Sequence, residues 1–168
     1  MRASPYLRWS MMTGTYIDAM NRLLAENGLD LERVVTLGPR ANALMARIYR
    51  NTDVGIFPNR CEGGTNLVLM EYMACGMPVA AVAVTGHKDV VREDHALVIK
   101  IRGENTINLG AGPVARWPEP DLDDAVEKLE WAYQHRTEMA ALGAKAGAEM
   151  ARCTWRETAQ GFLRMVGK

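Results

Sequence analysis

Glu62 and Glu71 stand on either side of a glycine-rich turn in the stretch FPNRCEGGTNLVLMEYMACG, residues 57–76. Gly63, Gly64, Thr65 and Asn66 fall between an apolar strand-like run and an apolar helix-like run. The first-turn N–H groups of a helix lack internal partners and carry partial positive charge. Glycines let a ligand approach that backbone closely, so the turn suits a phosphate. A carboxylate beside an anion repels it, and the two glutamates therefore need another task. Each offers two oxygens that can accept from neighbouring hydroxyls of a diol. Glu71 lies about 7–8 Å along the helix at roughly 1.5 Å per residue, an offset that suits a ribose when a diphosphate occupies the helix start. Glu62 would face a sugar on the other side. A nucleoside diphosphate sugar satisfies all three demands. The same residues also suit a plain glycine-rich turn capped by Thr65 or Asn66, with Glu71 a solvated helix residue. Neither G-x-G-x-x-G nor G-K-[ST] occurs.

Other residues could join such a site. His87 follows a glycine in the turn after the next strand. It could touch the ligand, sit on the surface, or help neutralise phosphate when protonated, its ordinary pKa being near 6.5. Lys88 and Arg60 are the nearest basic groups; His95 and His135 read as structural or exposed. No histidine–carboxylate cluster has metal-ligand spacing, and no serine or cysteine triad can be assembled. Cys61, Cys75 and Cys153 are odd in number and form no close pair, which argues for a reducing compartment rather than a disulfide framework. The formal net charge is zero, from 20 basic and 20 acidic residues, so a nucleic-acid binder is not expected. No apolar run reaches the roughly 20 residues of a membrane span. The expected location is the cytoplasm, with peripheral contact to the inner membrane face left open.

The elements that must position these residues follow from periodicity. Helices are expected at 15–27, 41–51 and 66–75, a short one at 85–93, and three more at about 121–135, 136–150 and 154–166. Strands are expected at 33–38 (RVVTLG), 52–58, 78–84 and 95–101. PVAAVAV, 78–84, is apolar throughout, as a strand buried on both faces should be. Gly28 and Gly76 read as helix stops, and Asp121 as an N-cap. Regular order is lost over 102–120, apart from a possible short strand at 106–109. Strands alternating with helices from 33 to 101 predict an α/β fold, a Rossmann-like parallel sheet with helices on both faces, followed by C-terminal helices. The chain reads as a single nucleotide-sugar-binding domain over 1–168.

EGGTNLVLMEYMACGMPVAA resembles the signature of family 4 (group 1) glycosyltransferases, E-G-F-G-x-x-x-x-E-A-M-A-C-G-x-P-V-[IV]-[AG]. The likeness continues upstream through LDLERVVTLGPRANALMARIYRNTDVGIFPNR and downstream through VTGHKDVV, and spans most of 29–166. These enzymes have the GT-B fold of two facing Rossmann-like domains, and the chain resembles the C-terminal, donor-binding one. The resemblance implies retaining transfer from a nucleotide diphosphate sugar, with no metal or further cofactor. The acceptor, a sugar, lipid or protein, would be held by an N-terminal domain that this chain lacks. It implies that Glu62 contacts the donor sugar, as the catalytic-site carboxylate. The backbone of Gly63, Gly64, Asn66 and Leu67 would contact sugar and diphosphate, and Glu71 the ribose. Thr65 and His87 complete the expected set.

Three departures stand out. Glu62 and Glu71 are spaced E-x8-E, one residue longer than the family's E-x7-E. Asp89 replaces a usual glutamate. The family's first strand and its Arg–Lys pair have no counterpart in MRASPYLRWSMMTG. The expectation is therefore a chain inactive by itself, with an incomplete sheet through which copies could associate. A non-catalytic nucleotide-binding or interaction module of the same descent is the alternative.

Overall fold

A computed structural model of the chain describes residues 16–37, 40–108, 110 and 112–167. The backbone forms two compact units, Met1–Met45 and Ala46–Lys168. The MRASPYLRWSMMTG segment lies outside the described residues.

In the first unit, α1 (Tyr16–Glu26) is an amphipathic helix ended at Gly28. The Gly28 and Leu29 amides turn back to the Ala25 and Leu24 carbonyls, the paired bonds of a Schellman stop. Asp30 then caps a short 3-10 helix, Leu31–Arg33, by accepting from the Glu32 amide. Among the described residues the strand expected over 33–38 does not form. Val34 is extended, but among the described residues the segment joins no ladder, and Val35 is 81% exposed. β-Branched residues favour extended backbone, yet a strand exists only where a neighbour takes its hydrogen bonds. Thr36 instead donates its hydroxyl to Asn21 Oδ1 of α1 at 2.9 Å. Helix α2 (Asn42–Tyr49) runs across the division between the units.

The second unit is built on three parallel strands in the order β1 (Gly55–Phe57), β2 (Val79–Val82), β3 (Leu97–Ile99). All four residues of β2 are fully buried, as its unbroken apolar sequence requires. Alternation divides its side chains between two faces. Ala80 and Val82 share a face with Ile99 and pack on Ala125 of α4 (Leu122–Gln134). Val79 and Ala81 point the other way, in register with Gly55 and Phe57. That face is covered by α3 (Leu67–Ala74), whose Tyr72 ring sits 6.0 Å from that of Phe57. Helices thus lie on both faces of a Rossmann-like sheet, as expected from the strand–helix alternation.

Helix α5 (Arg136–Met150) closes over α3 through small residues. A Cβ at Gly143 would fall 2.4 Å from the Gly76 carbonyl oxygen, so only glycine allows the two backbones to approach this closely. Helix α6 (Trp155–Met165) follows, capped by Thr154.

The region expected to be irregular is an antiparallel ribbon, β4 (Ile101–Asn108) and β5 (Pro113–Pro120), with register shifts at Ile101/Gly103 and Ile107/Asn108. Its glycines and prolines argued against strands. Prolines are nonetheless compatible with a two-stranded ribbon, where each strand keeps one unpaired edge. Pro118 and Pro120 are two residues apart, so both missing N–H groups can fall on the side away from β4. The ribbon's base is tied down where Asp121 donates its amide to the Lys100 carbonyl at 2.8 Å. Asp124 of α4 accepts from the Lys100 amide at 2.9 Å and pairs with its ammonium at 3.0 Å.

Candidate functional site

The turn 58–66 leaves the carboxyl end of β1, and the 3-10 helix Thr85–Asp89 leaves the carboxyl end of β2. The edge of a parallel sheet at these ends is where ligands bind in open α/β folds. Two backbone features fit the segments together. The Gly86 amide donates to the Glu62 carbonyl at 3.3 Å. A Cβ at Gly86 would lie 1.4 Å from the Gly64 carbonyl oxygen. At Gly63 and Gly64 an added Cβ would meet nothing within 4 Å. The close-packed glycine is therefore Gly86, while Gly63 and Gly64 keep the outer surface of the turn bare.

Asn66 organises the site. Its side-chain oxygen accepts from the Leu69 amide at 3.2 Å and caps α3. Its nitrogen lies 3.1 Å from Glu62 Oε1 and 3.0 Å from His87 Nε2. The Leu67 and Val68 amides also belong to the first turn, and among the described residues neither has an acceptor seated on it. Both residues are exposed, Leu67 by 73%. The helix start is thus held from beneath by Asn66 and open from above.

Glu62 is oriented by three groups. Asn59 Nδ2 donates to its Oε1 at 2.7 Å, Asn66 reaches the same oxygen, and the Glu62 amide donates to Thr85 Oγ1 at 3.0 Å. Neither side-chain amide reaches Oε2. Asn66 and Thr85, both bonded to Glu62, have φ of 61° and 50°. Positive φ is rare outside glycine and, for β-branched Thr85, a genuine outlier. Strain of this kind persists only where surrounding bonds hold it, and it gathers at functional sites.

Glu71 lies on α3 roughly 6 Å beyond Leu67 at about 1.5 Å per residue. It is half-buried, and Tyr49 donates its hydroxyl to Glu71 Oε2 at 3.2 Å. Burial and the Glu71 charge push the Tyr49 phenol above its ordinary pKa, so it stays a donor. Thr65 lies in the turn, but its hydroxyl is directed at Met70 Sδ, 3.0 Å away.

His87 departs from expectation. It is fully buried, with Nδ1 bonded to the Val82 carbonyl at 3.1 Å and Nε2 to Asn66. Burial pulls its pKa below the ordinary value, opposed by the Val82 carbonyl and the Glu62 charge. It is a neutral internal prop at neutral pH and supplies no positive charge to a phosphate. Arg60 is also committed elsewhere. It forms a two-pronged pair with Glu119 of β5, Nε to Oε2 at 2.6 Å and an Nη to Oε1 at 2.7 Å. Asn105 of β4 donates to the same carboxylate. The arginine hydrogen bonds, opposed by burial, hold the Glu119 carboxyl below its usual pKa. The ribbon is thereby fastened to the turn beside Glu62.

Asn59, Thr85 and Gly86 belong to the site but were not singled out from the sequence. Only the glycine in VTGHKDVV carried a signal, since no local pattern marks two segments that meet across the sheet edge. A cavity of about 520 Å³ lies at the opposite, amino ends of β1 and β2, among Val54, Pro78, Leu129, Tyr133 and Met139. It includes none of the site residues. Among the described residues no group of three or more His, Cys, Asp or Glu side chains is placed to hold a metal ion, and no helix is long and apolar enough to cross a membrane.

Residues 10–107, more than half of the chain, match the family described as Glycosyl transferases group 1. The D-inositol 3-phosphate glycosyltransferase of Stackebrandtia nassauensis is 34% identical over 148 residues, which are 88% of this chain and 29% of that protein. The protein of the same name from Nocardia farcinica is 33% identical over 87% of this chain and 28% of its own length. That from Kineococcus radiotolerans is 32% identical over 82% and 29%. The chain spans less than a third of the length of these relatives. With the matched segment covering the turn, its two glutamates and the sheet beneath them, the chain belongs to the group 1 glycosyltransferases.

Proposed function

We propose that the chain is the donor-binding part of a retaining GT-B glycosyltransferase. It would bind a nucleotide diphosphate sugar for transfer of the sugar to an acceptor hydroxyl. One observation carries the reading: the start of α3 is exposed, capped from below by Asn66, and flanked by two oriented carboxylates. The diphosphate would rest on the amides of Gly63, Gly64, Asn66 and Leu67, beside the Thr65 turn. Glu71 would accept from the ribose hydroxyls and Glu62 from the donor sugar, through the oxygen its asparagine partners leave open. Leaving-group charge grows on the diphosphate as the sugar bond breaks, and fixed amide dipoles stabilise it without reorganisation.

The acceptor would be held by protein outside this chain. The name shared by the relatives suggests inositol 3-phosphate as the first acceptor to try with a full-length protein. Arg60 is engaged by Glu119 and His87 is neutral. We place the cation that balances the diphosphate outside this pair, with Lys88 the nearest local candidate. The three cysteines are unbridged, which supports a cytoplasmic location. Among the described residues β1 pairs only with β2 in the three-stranded sheet, and self-association through its other edge would appear as concentration-dependent sedimentation.

The test is calorimetry with UDP, GDP and ADP, followed by a turnover assay with the corresponding nucleotide sugars. Binding of one nucleotide, lost in Glu71→Ala with folding retained, supports the reading. Binding without transfer or hydrolysis, even when the rest of the protein is supplied, assigns the chain to a non-catalytic nucleotide module. No binding of any of the three ends both readings.

A further inference from the structure

We propose that His87 is a positioning residue for Glu62, acting through the side-chain amide of Asn66, and that protonating its ring dismantles the donor-sugar half of the site. The proposal rests on the reading of Glu62 as the donor-sugar contact. Its structural half stands without that reading.

The hydrogen-bond inventory around Asn66 admits one arrangement. A primary amide has two donor hydrogens and one acceptor oxygen. The oxygen is taken by the Leu69 amide at 3.2 Å, and the nitrogen faces Glu62 Oε1 at 3.1 Å and His87 Nε2 at 3.0 Å. Both hydrogens are therefore assigned, one to the carboxylate and one to the ring. The Nδ1 atom of His87 faces the Val82 carbonyl at 3.1 Å, and a carbonyl brings no hydrogen. Nδ1 must carry the ring proton, and Nε2 is the bare acceptor of a neutral imidazole. Each member fixes the next: Val82 sets the tautomer, the tautomer sets the amide, and the amide sets the carboxylate and caps the helix.

A proton on Nε2 turns an acceptor into a donor aimed at the hydrogens of Asn66. The amide must then rotate, which points its oxygen at the ring, withdraws the cap from Leu69 and removes a hydrogen from Glu62. The groups around His87 are few. Glu62 faces it from the turn, and β2 contributes no titratable residue. Glu71 and Tyr72 are the titratable residues of α3, the Tyr72 phenol held above its ordinary pKa by burial, and Lys88 and Asp89 lie exposed on the same short helix as His87. Burial opposes the charged ring and Glu62 favours it. The switch therefore lies on the acid side of the ordinary histidine range.

Nitrogen NMR of the labelled chain tests the structural half. At neutral pH the His87 ring should show a proton on Nδ1 and none on Nε2. On acidification the Asn66 side-chain NH2 and the Leu69 amide should shift with the midpoint of His87. The functional half is read by calorimetry with UDP-glucose, GDP-mannose and ADP-glucose, each beside its bare nucleoside diphosphate. His87→Leu should weaken the sugar-bearing ligand about tenfold, near the lower end for a hydrogen bond to a charged group, and leave the bare diphosphate nearly unchanged. His87→Gln, whose side-chain oxygen can accept from Asn66 and does not titrate, should restore affinity and remove its acid-side loss. A proton on Nε2 at neutral pH, or Asn66 signals indifferent to the His87 titration, overturns the positioning role. So does an equal loss of both ligands in His87→Leu. Should the leucine variant not fold, the wild-type titration still decides. If wild type binds none of the six ligands, the donor reading fails, and the NMR result alone judges the His87–Asn66 coupling.

Discussion

At the scale of single residues, the site depends on positions that adopt conformations or approaches ordinary residues resist. Asn66 combines a helix cap with φ of 61°, so its two contributions can be separated. Asn66→Ala loses the cap and keeps a β-carbon at positive φ, and should destabilise the fold by about 1–2 kcal/mol. Asn66→Gly loses the same hydrogen bonds but relaxes the backbone, and should cost less. Urea denaturation of the pair measures the difference, and equal losses would show that the backbone there is not strained. Gly86→Ala should be more severe than either. Its methyl would overlap the Gly64 carbonyl oxygen, and a backbone atom cannot rotate away as a side chain can. The expected result is a loss of about 2 kcal/mol or more, by analogy with overpacked cores. The amide exchange of residues 62–66 should rise with it. Glu71→Ala should reduce nucleotide affinity by about 10- to 100-fold, the value of a charge-assisted hydrogen bond, and change the urea midpoint far less.

At the scale of elements, small residues and ion pairs decide which pieces meet. Helix α5 reaches the end of α3 only because Gly143 faces the Gly76 carbonyl. Gly143→Ala should cost about 1–3 kcal/mol, visible as a lowered melting temperature. The ribbon β4–β5 is held differently, at the turn by the half-exposed Arg60 and at its base by Asp124. Arg60→Ala should lower global stability by about 1–3 kcal/mol, since Glu119 is only 12% exposed and its carboxylate would lose both arginine hydrogen bonds. It should raise hydrogen exchange in the ribbon, because a lone hairpin is marginal in water. Asp124 governs an acid transition. Its burial favours the protonated form, but the Lys100 amide and ammonium outweigh it and keep the carboxyl below its ordinary pKa. A depressed folded value stabilises the protein above the unfolded value, near 4, and the benefit is lost as pH falls through the folded one. Asp124→Asn should accordingly flatten the fall in stability on the acid side of about pH 4 and lower stability above it.

At the scale of the whole molecule, the sheet has three parallel strands, β2 is covered on both faces, and α6 has no buried residue. Trp155 is 90% exposed on α6, with Phe162 and Val166 near the same face at helical spacing. The chain matches less than a third of each of the relatives named above. If the chain is the donor-binding part proposed above, calorimetry with the chain alone should show nucleotide binding and a transfer assay with it should show no turnover.

Much of this was legible in residue order. An amphipathic period fixes a helix because its hydrogen bonds close within one segment. Among the described residues, all six α-helices lie within one or two residues of the segments the pattern marked. The three strands of the sheet fell inside expected runs, β2 most clearly, because a strand covered on both faces has no polar position to offer. Capping at Asn66 and Asp121 was equally local. Pairing was not: RVVTLG has strand composition and no strand partner, while RGENTINLGAGPVARWPEP has turn composition and forms a ribbon. A ladder is a property of two segments at once, and neither sequence carries it alone. The same limit applied to chemistry. Residue type and spacing marked the turn and its two glutamates as candidates. Tertiary structure alone decided that His87 is buried and neutral, that Arg60 belongs to Glu119, and that Gly86 is the glycine with no room for a side chain. Burial, tautomer and ion pairing depend on what lies across the gap between β1 and β2, which no reading along the chain contains.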